Sequence, residues 1–370
     1  MKKIRTESEA AQCQNFSMSN YSHMLISREK GILKLIDATK VSRGSFYTKG
    51  EFWLTKPIRD FILEIIKHIK TVLDPFAGNG DILITLEKYF NIKTSGMDIS
   101  GGKWIKNDSL LNIPKLKDFF ICTNPPYLAK YSAKRKGVLD LVKNYYDKFD
   151  DLYQVALMRC FEAARYTIAI IPETFLNSNF PFQHLKIVSV IEDNPFGDTD
   201  QPILIACFDT NFFEGHQKGK IYMGNEFCFE IRELNRYRFS PCKKFKIIFN
   251  EPTGRLALKA VDGINPHDKI RFSKAEGFYY SRKKIKVSSR LLTYIEVPTL
   301  FSKDLDKFIE IANSKILEIR TATKDLILSP FKGNNKNGKR RRRLDYKLAR
   351  CILESSYFDI YPEQGENQLF

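Results

Sequence analysis

The chain has 370 residues, enough for one large domain or two moderate ones, and 43% of them are hydrophobic, enough for a buried core. That composition excludes a disordered chain, and no run of about 18 consecutive apolar residues suggests a membrane span. Sixty basic residues against forty-three acidic leave a net charge of +17, a field that attracts polyanions without telling DNA from RNA or an anionic membrane. The start, Met1-Lys2-Lys3-Ile4-Arg5, is basic with no apolar run behind it, so no secretory signal is expected and a cytoplasmic, bacterial setting is. Seven cysteines, at 13, 122, 160, 207, 228, 242 and 351, form no Cys-x-x-Cys pair, and the five histidines are scattered. Reduced thiols are expected, with no disulfide framework and no metal.

Residues 1–43 are polar and read as an N-terminal arm. Pro57 then opens a helix at a position where a missing amide donor costs nothing. Ile58, Phe61, Ile62, Ile65, Ile66 and Ile69 form one apolar stripe, which predicts packing on a sheet. Strands and helices alternate from there. Residues 71–74 read as a buried strand, 81–90 as a helix, 93–99 as a strand, and 119–123 as a strand that stops at two prolines. Residues 151–165 have a helical pattern, and 167–171, 187–191 and 203–208 read as strands. Such alternation implies an α/β fold with a mostly parallel, doubly wound sheet, whose ligands bind at the carboxyl ends of the strands. Asp74, Asp98 and Asn124 all fall there. The alternation stops near Phe213, which sets a boundary between a domain over 44–212 and a basic, aromatic one over 213–370. Residues 332–343 read as a loop ending in Arg340-Arg341-Arg342-Arg343.

Three motifs carry chemistry. In Asp74-Pro75-Phe76-Ala77-Gly78-Asn79-Gly80, between strand and helix, Gly78 and Gly80 allow a sharp turn and close approach to a ligand. The segment lacks both the full Gly-x-Gly-x-x-Gly fingerprint and a phosphate-loop lysine. An acid at the strand end suits a cationic ligand such as S-adenosylmethionine, which carries an ammonium and a sulfonium. Asp98, about twenty residues past the glycine turn, is placed to accept from a ribose diol or to cap the next helix. Asp108 is placed to accept from the cofactor's adenine amine or to serve as an N-cap. The third motif, Asn124-Pro125-Pro126-Tyr127, ends a buried strand, because neither proline can donate to the ladder. Beyond a rigid turn, it offers the Asn124 side-chain oxygen and the Pro125 carbonyl as two fixed acceptors for the hydrogens of an amino group. Tyr127 adds a flat face on which a base can stack.

In this order, the motifs resemble those of the DNA amino-methyltransferases, in particular the gamma class of adenine-N6 enzymes. The run 151–157, the run 167–176 and Asn194-Pro195-Phe196 with 202–208 resemble later segments of that family, so the likeness covers about 44 to 210. It implies a Rossmann-like class I methyltransferase fold with a seven-stranded sheet, a C-terminal α+β target-recognition domain, S-adenosyl-L-methionine as cofactor and double-stranded DNA as substrate. It assigns Asp74, Pro75, Phe76, Ala77, Gly78, Gly80, Asp98, Ile99, Asp108 and Ser109 to the cofactor. For the family's Thr-Pro segment, either Tyr47 with Thr48 or Thr55 is available. It assigns Asn124, Pro125, Pro126 and Tyr127 to catalysis, with Phe196 as the late aromatic on the flipped base and Phe180 or Phe182 as substitutes.

Lys134, Arg135 and Lys136, just past the catalytic loop, and Arg340, Arg341, Arg342 and Arg343 are expected on DNA. A cognate restriction endonuclease is the usual companion of this class. Pro241-Cys242 resembles the pair used in cytosine-C5 chemistry but falls in the recognition region, so it is taken as chance, and Cys122 as packing. The rival activities are N4-cytosine, RNA adenine and protein glutamine methylation, or nucleic-acid binding without catalysis. The intact loops disfavour the last.

Overall fold

The computed structural model describes residues 51–115, 117–191, 202–213 and 218–364. The expected arm over 1–43, together with Tyr47, Thr48 and Phe196, lies outside the described residues.

Helix α1 (Lys56–Ile65) has Pro57 in its first turn and buries Ile58, Phe61, Ile62 and Ile65. That stripe packs with Val72, Phe120, Ile168 and Ile205 on one face of a large sheet. The sheet contains β1 (Thr71–Asp74), β2 (Lys93–Asp98), β3 (Ile105–Lys106), β4 (Phe119–Thr123), β5 (Tyr166–Pro172), β6 (Leu185–Val190), β7 (Ile203–Asp209), β8 (Lys220–Met223) and β9 (Glu226–Glu230). Their order is β3-β2-β1-β4-β5-β7-β6-β8-β9. The strands from β1 to β5 are mutually parallel, β7 runs antiparallel between β5 and β6, and β6 and β8 resume the direction of β5. Asp74, Thr123, Pro172, Val190 and Met223 therefore end their strands on one carboxyl edge.

Helix α2 (Asp81–Phe90) lies on the face of α1. Two short helices, α3 (Lys130–Arg135) and α4 (Leu139–Val142), follow β4. Helix α5 (Leu152–Ala163) covers the opposite face, where Leu157 and Cys160 meet the alternate strand residues Ala169, Ile121 and Leu73. The doubly wound α/β sheet expected from the sequence is present, with nine strands rather than seven. The segment 99–104 between β2 and β3 is far shorter than a helical crossover needs, so β3 is a two-residue edge. At the other end, β8 and β9 add to the sheet past the expected boundary at 212–213.

After α6 (Ile231–Asn235), strands β10 (Ile248–Phe249), β11 (Leu256–Lys259), β12 (Arg271–Lys274) and β13 (Leu292–Glu296) form an antiparallel sheet in the order β10-β13-β11-β12. Helix α7 (Leu305–Ala322) packs on β12 and on α8 (Tyr346–Ile360). One apolar cluster runs without a break from Phe175 and Phe208 through Ile221 and Leu258 to Phe308 and Leu353, so the two sheets share a core. Phe180 and Phe182 belong to that cluster, with Phe175 ring centroids at 5.8 and 4.9 Å, and both also line a cavity.

The arginine run also differs from expectation. Arg340–Arg343 is strand β15, paired with β14 (Ser329–Asn334), and is not a loop. Alternate residues of a strand face opposite ways, and Arg340 and Arg342 both point inward to form ion pairs with Glu173, just past β5. Arg342 is 4% exposed and Glu173 1%. Arg341 donates from Nε to the Asp262 carbonyl at 2.8 Å and stacks on Phe331. Arg340 and Arg342 are internal struts, which corrects their expected place on phosphates. Removing the shared carboxylate leaves two largely buried guanidinium groups without it. Glu173→Ala is expected to lower the unfolding free energy by about 3–5 kcal/mol in urea titration, and a loss below about 1 kcal/mol would contradict the strut.

Candidate active site

The glycine turn and the proline loop lie side by side, because β1 and β4 are hydrogen-bonded neighbours. Asp74 ends β1 at 2% exposure. Its Oδ1 accepts from Phe76 N at 3.0 Å and from Thr123 Oγ1 at 2.6 Å. Thr123 is the last residue of β4, so a single hydrogen bond joins the acid of the first motif to the residue before Asn124. Burial pushes the Asp74 carboxyl up to about 7, against those two hydrogen bonds, and nearby Asp98 adds to the rise.

Gly78 and Gly80 both have positive φ, of 49° and 84°, but they serve different purposes. A Cβ on Gly78 would meet nothing within 4 Å, so that side of the turn is open. A Cβ on Gly80 would come within 2.5 Å of the Trp104 indole, and one on Gly96 within 2.6 Å. Trp104 donates from Nε1 to the Gly78 carbonyl at 2.8 Å, and Lys103 Nζ reaches the Asn79 carbonyl at 2.7 Å. In the absence of a helix between β2 and β3, the indole packs against the turn. Gly80 thus accommodates Trp104, and Gly78 faces open space.

Asp98 ends β2. Its Oδ2 accepts from Gly78 N at 3.1 Å and its Oδ1 from Ser100 N at 2.8 Å, and Ile99 beside it is 52% exposed. Asp108 caps the turn to Leu110 N at 3.2 Å and accepts from the Tyr145 hydroxyl at 2.6 Å. Ser109 is buried and accepts from Asn107. Pro75, Phe76 and Ala77 form the first part of the turn, with Ala77 N bonded to the Met97 carbonyl. Thr55 is placed elsewhere. Its hydroxyl donates to Ser189 Oγ at 3.0 Å on β6, four strand spacings from β1, or about 19 Å.

In the proline loop, Pro125 is buried, and Asn124, Pro126 and Tyr127 are half-buried. The Tyr127 hydroxyl donates to the Asn124 amide oxygen and also lies 2.6 Å from the Ile170 carbonyl of β5. Burial raises this phenol well above its ordinary range, so it stays protonated. Asp151 holds the loop's far end, accepting from Leu128 N at 2.9 Å, while the buried Tyr146 hydroxyl donates to the Leu128 carbonyl at 2.8 Å. Asp151 also begins α5 through a reciprocal cap with Gln154, and burial pushes its carboxyl up to about 7. Neither Asp151 nor Tyr146 stands out in the sequence as a site residue. The Asp-x-x-Gln spacing is a capping-box signal and marks where Asp151 sits.

Lys134, Arg135 and Lys136 are exposed at the end of α3, seven to nine positions past Tyr127. Cys122 is buried beneath the loop, and burial raises its thiol well above the usual range. Cys242 accompanies α8, with its backbone amide on Glu354 at 2.7 Å, on the C-terminal side of the molecule. Among the described residues, no cluster of three or more His, Cys, Asp or Glu has a metal-holding arrangement, and no helix is long and apolar enough to cross a membrane.

No family model and no curated protein matches the chain. Among solved structures, it is similar to a protein from Listeria monocytogenes assigned as a class I S-adenosylmethionine-dependent methyltransferase. The identity is 14% over 41% of this chain and 58% of that one, with a TM-score of 0.30. It is also similar to the modification subunit assigned to a type I restriction enzyme of Vibrio vulnificus YJ016, at 14% identity, with 52% and 50% covered and a TM-score of 0.32. The type I restriction-modification methyltransferase subunit of Streptococcus thermophilus gives 14%, 44%, 43% and 0.32. The chain spans about half the length of these structures. Its main sheet is a mostly parallel, doubly wound α/β sheet.

The Asp74 carboxyl has a testable consequence. Unfolded, it ionises near 4; folded, near 7. Between these values the folded state binds the extra proton, so stability falls as pH rises, by up to about 1.4 kcal/mol per pH unit. Asp74→Asn keeps the Oδ1 acceptor and removes this dependence. Urea titrations at pH 5, 6 and 7 should give the variant the shallower slope, whereas parallel slopes would disprove the raised ionisation.

Proposed function

We propose that this protein is an S-adenosylmethionine-dependent methyltransferase that acts on N6 of an adenine flipped out of duplex DNA. The observation that supports it most is the hydrogen bond between Thr123 and Asp74, which fixes the proline loop beside the glycine turn at one edge of the sheet. The residues fit the cofactor: Asp74 and Asp98 supply carboxylates, Gly78 leaves the turn open, and Ile99 offers an exposed apolar face. Asp74 would hold the ammonium and Asp98 the ribose, with Asp108 and Ser109 near the base. When bound, the cofactor supplies an electrophilic methyl group.

The remaining chemistry belongs to the chain. The Asn124 Oδ1 and the Pro125 carbonyl accept the two hydrogens of the target amine and turn its lone pair outward. Preorganised acceptors of this kind need no reorganisation during reaction. Flipping the base costs a few kcal/mol, and stacking on Tyr127 offsets roughly 1–3 kcal/mol of that. The protonated Tyr127 hydroxyl is not a base. The amine loses its proton to solvent after transfer, so no strong base is required. Lys134, Arg135 and Lys136 contact phosphates beside the target, and a partner endonuclease would complete a restriction-modification pair.

The test is incubation with methyl-labelled cofactor and duplex DNA, followed by mass spectrometry of the nucleosides. N6-methyladenine is the expected product. N4-methylcytosine, or label only in RNA, would overturn the assignment. Asn124→Ala should retain cofactor affinity while methyl transfer falls by roughly 10²–10³.

A further inference from the structure

A second feature of the carboxyl edge lies beyond the catalytic loop. A cavity of about 530 Å³ opens between the ends of β8 and α7 and the β14–β15 turn. Six cations line it, namely Lys269, Arg320, Lys324, Lys339, Arg340 and Arg342, against two carboxylates, Glu226 and Asp325. The arginines are committed. Arg320 pairs with Asp262 and Asp325, and Arg340 and Arg342 share Glu173. They form a rigid floor. The lysines stand at the rim, all three exposed, and Lys324 lies beside Cys228 and 3.5 Å from Glu226.

The position matters as much as the charge. Met223, in the cavity wall, ends β8 on the same edge where Thr123 ends β4. Four strand spacings separate them, or about 19 Å. Arg340 spans the middle two of these spacings, joining Glu173 at the end of β5 to the Ile191 carbonyl at the end of β6, 3.2 Å away. An interval of about 19 Å matches five or six base-pair rises of 3.4 Å.

We propose that this lysine-rimmed groove binds the sugar-phosphate backbone of duplex DNA several base pairs from the target base, with Lys269, Lys324 and Lys339 as the phosphate contacts. The proposal rests on the methyltransferase reading and gives it a second point of contact. Lysine suits this role because its ammonium meets phosphate as a mobile point charge, while the planar arginines brace the floor.

The test uses the full chain and a fluorescein-labelled duplex, with binding followed by anisotropy between about 50 and 200 mM salt. Lys269→Gln/Lys324→Gln/Lys339→Gln should weaken binding by about tenfold or more and reduce the slope of log affinity against log salt by about 2.7, roughly 0.9 per lost phosphate contact. Lys70→Gln/Lys93→Gln/Lys220→Gln removes the same charge from exposed positions on the opposite, amino edge of the sheet and should leave both quantities nearly unchanged. Equal losses in the two variants, or wild-type affinity and slope in the groove variant, would overturn the groove. Failure of the unaltered chain to bind duplex at the lowest salt would overturn the groove and the DNA reading together. Groove-dependent binding confined to RNA would overturn the choice of duplex DNA.

Discussion

Two consecutive prolines after a fully buried strand remove two amide donors from the chain where it leaves the sheet, so side chains must hold the loop beyond them. Tyr127 reaches across to β5 through the Ile170 carbonyl, and the backbone of Leu128 is taken by Asp151 and Tyr146. These partners come from β5, from the start of α5 and from the segment before it, so the loop cannot move without disturbing all three. This rigidity follows from the missing amides and does not require a ligand.

The basic surplus divides by residue type and place. Arg340 and Arg342 face inward and join β15 to the carboxyl edge through Glu173, while Arg320 pairs with Asp262 within the C-terminal part. An arginine fork can share a buried carboxylate and keep its geometry, which a lysine cannot do as well. Lys134, Lys136, Lys269, Lys324 and Lys339 remain exposed. The three arginines balance Glu173, Asp262 and Asp325, so they contribute to cohesion while the net charge of +17 rests on other residues.

Most of what repeats along the chain was legible in the sequence. The stripe from Ile58 to Ile65 gave a helix on the sheet, and the runs ending at Asp74, Asp98 and Thr123 gave strands with acids and the Asn124 amide at one edge. Features that depend on pairing across long sequence separations were not legible. The Glu173 pairs join residues 167 and 169 positions apart. A basic run between turn residues is indistinguishable from a solvated loop until its partner carboxylate is known. Trp104 escaped notice because nothing in its local pattern says that a helix is missing between β2 and β3, leaving Gly80 and Gly96 to make room for an indole. Thr55 escaped for the opposite reason: its local pattern is persuasive, but the strand order carries it to β6.

The hydrogen bond from Tyr127 to Asn124 links the loop's rigidity to its proposed chemistry. An amide oxygen has two acceptor sites, and its NH2 can only donate. The Tyr127 hydroxyl has a single hydrogen within reach of both the Asn124 amide oxygen and the Ile170 carbonyl, and the proposed chemistry brings an incoming amine to that same amide oxygen. The same phenol is anchored to β5, so the position of that acceptor is set by the sheet itself. Burial keeps the phenol protonated across the neutral range, so the orientation does not change as pH varies. Asp74, one strand away, does change, because its carboxyl ionises near neutrality. Asp151, which holds the far end of the proline loop, is likewise pushed up to about 7 by burial, so both sides of the site carry a carboxyl that responds near neutrality. A cation held at Asp74 would favour the ionised carboxylate and offset the cost that burial imposes on it.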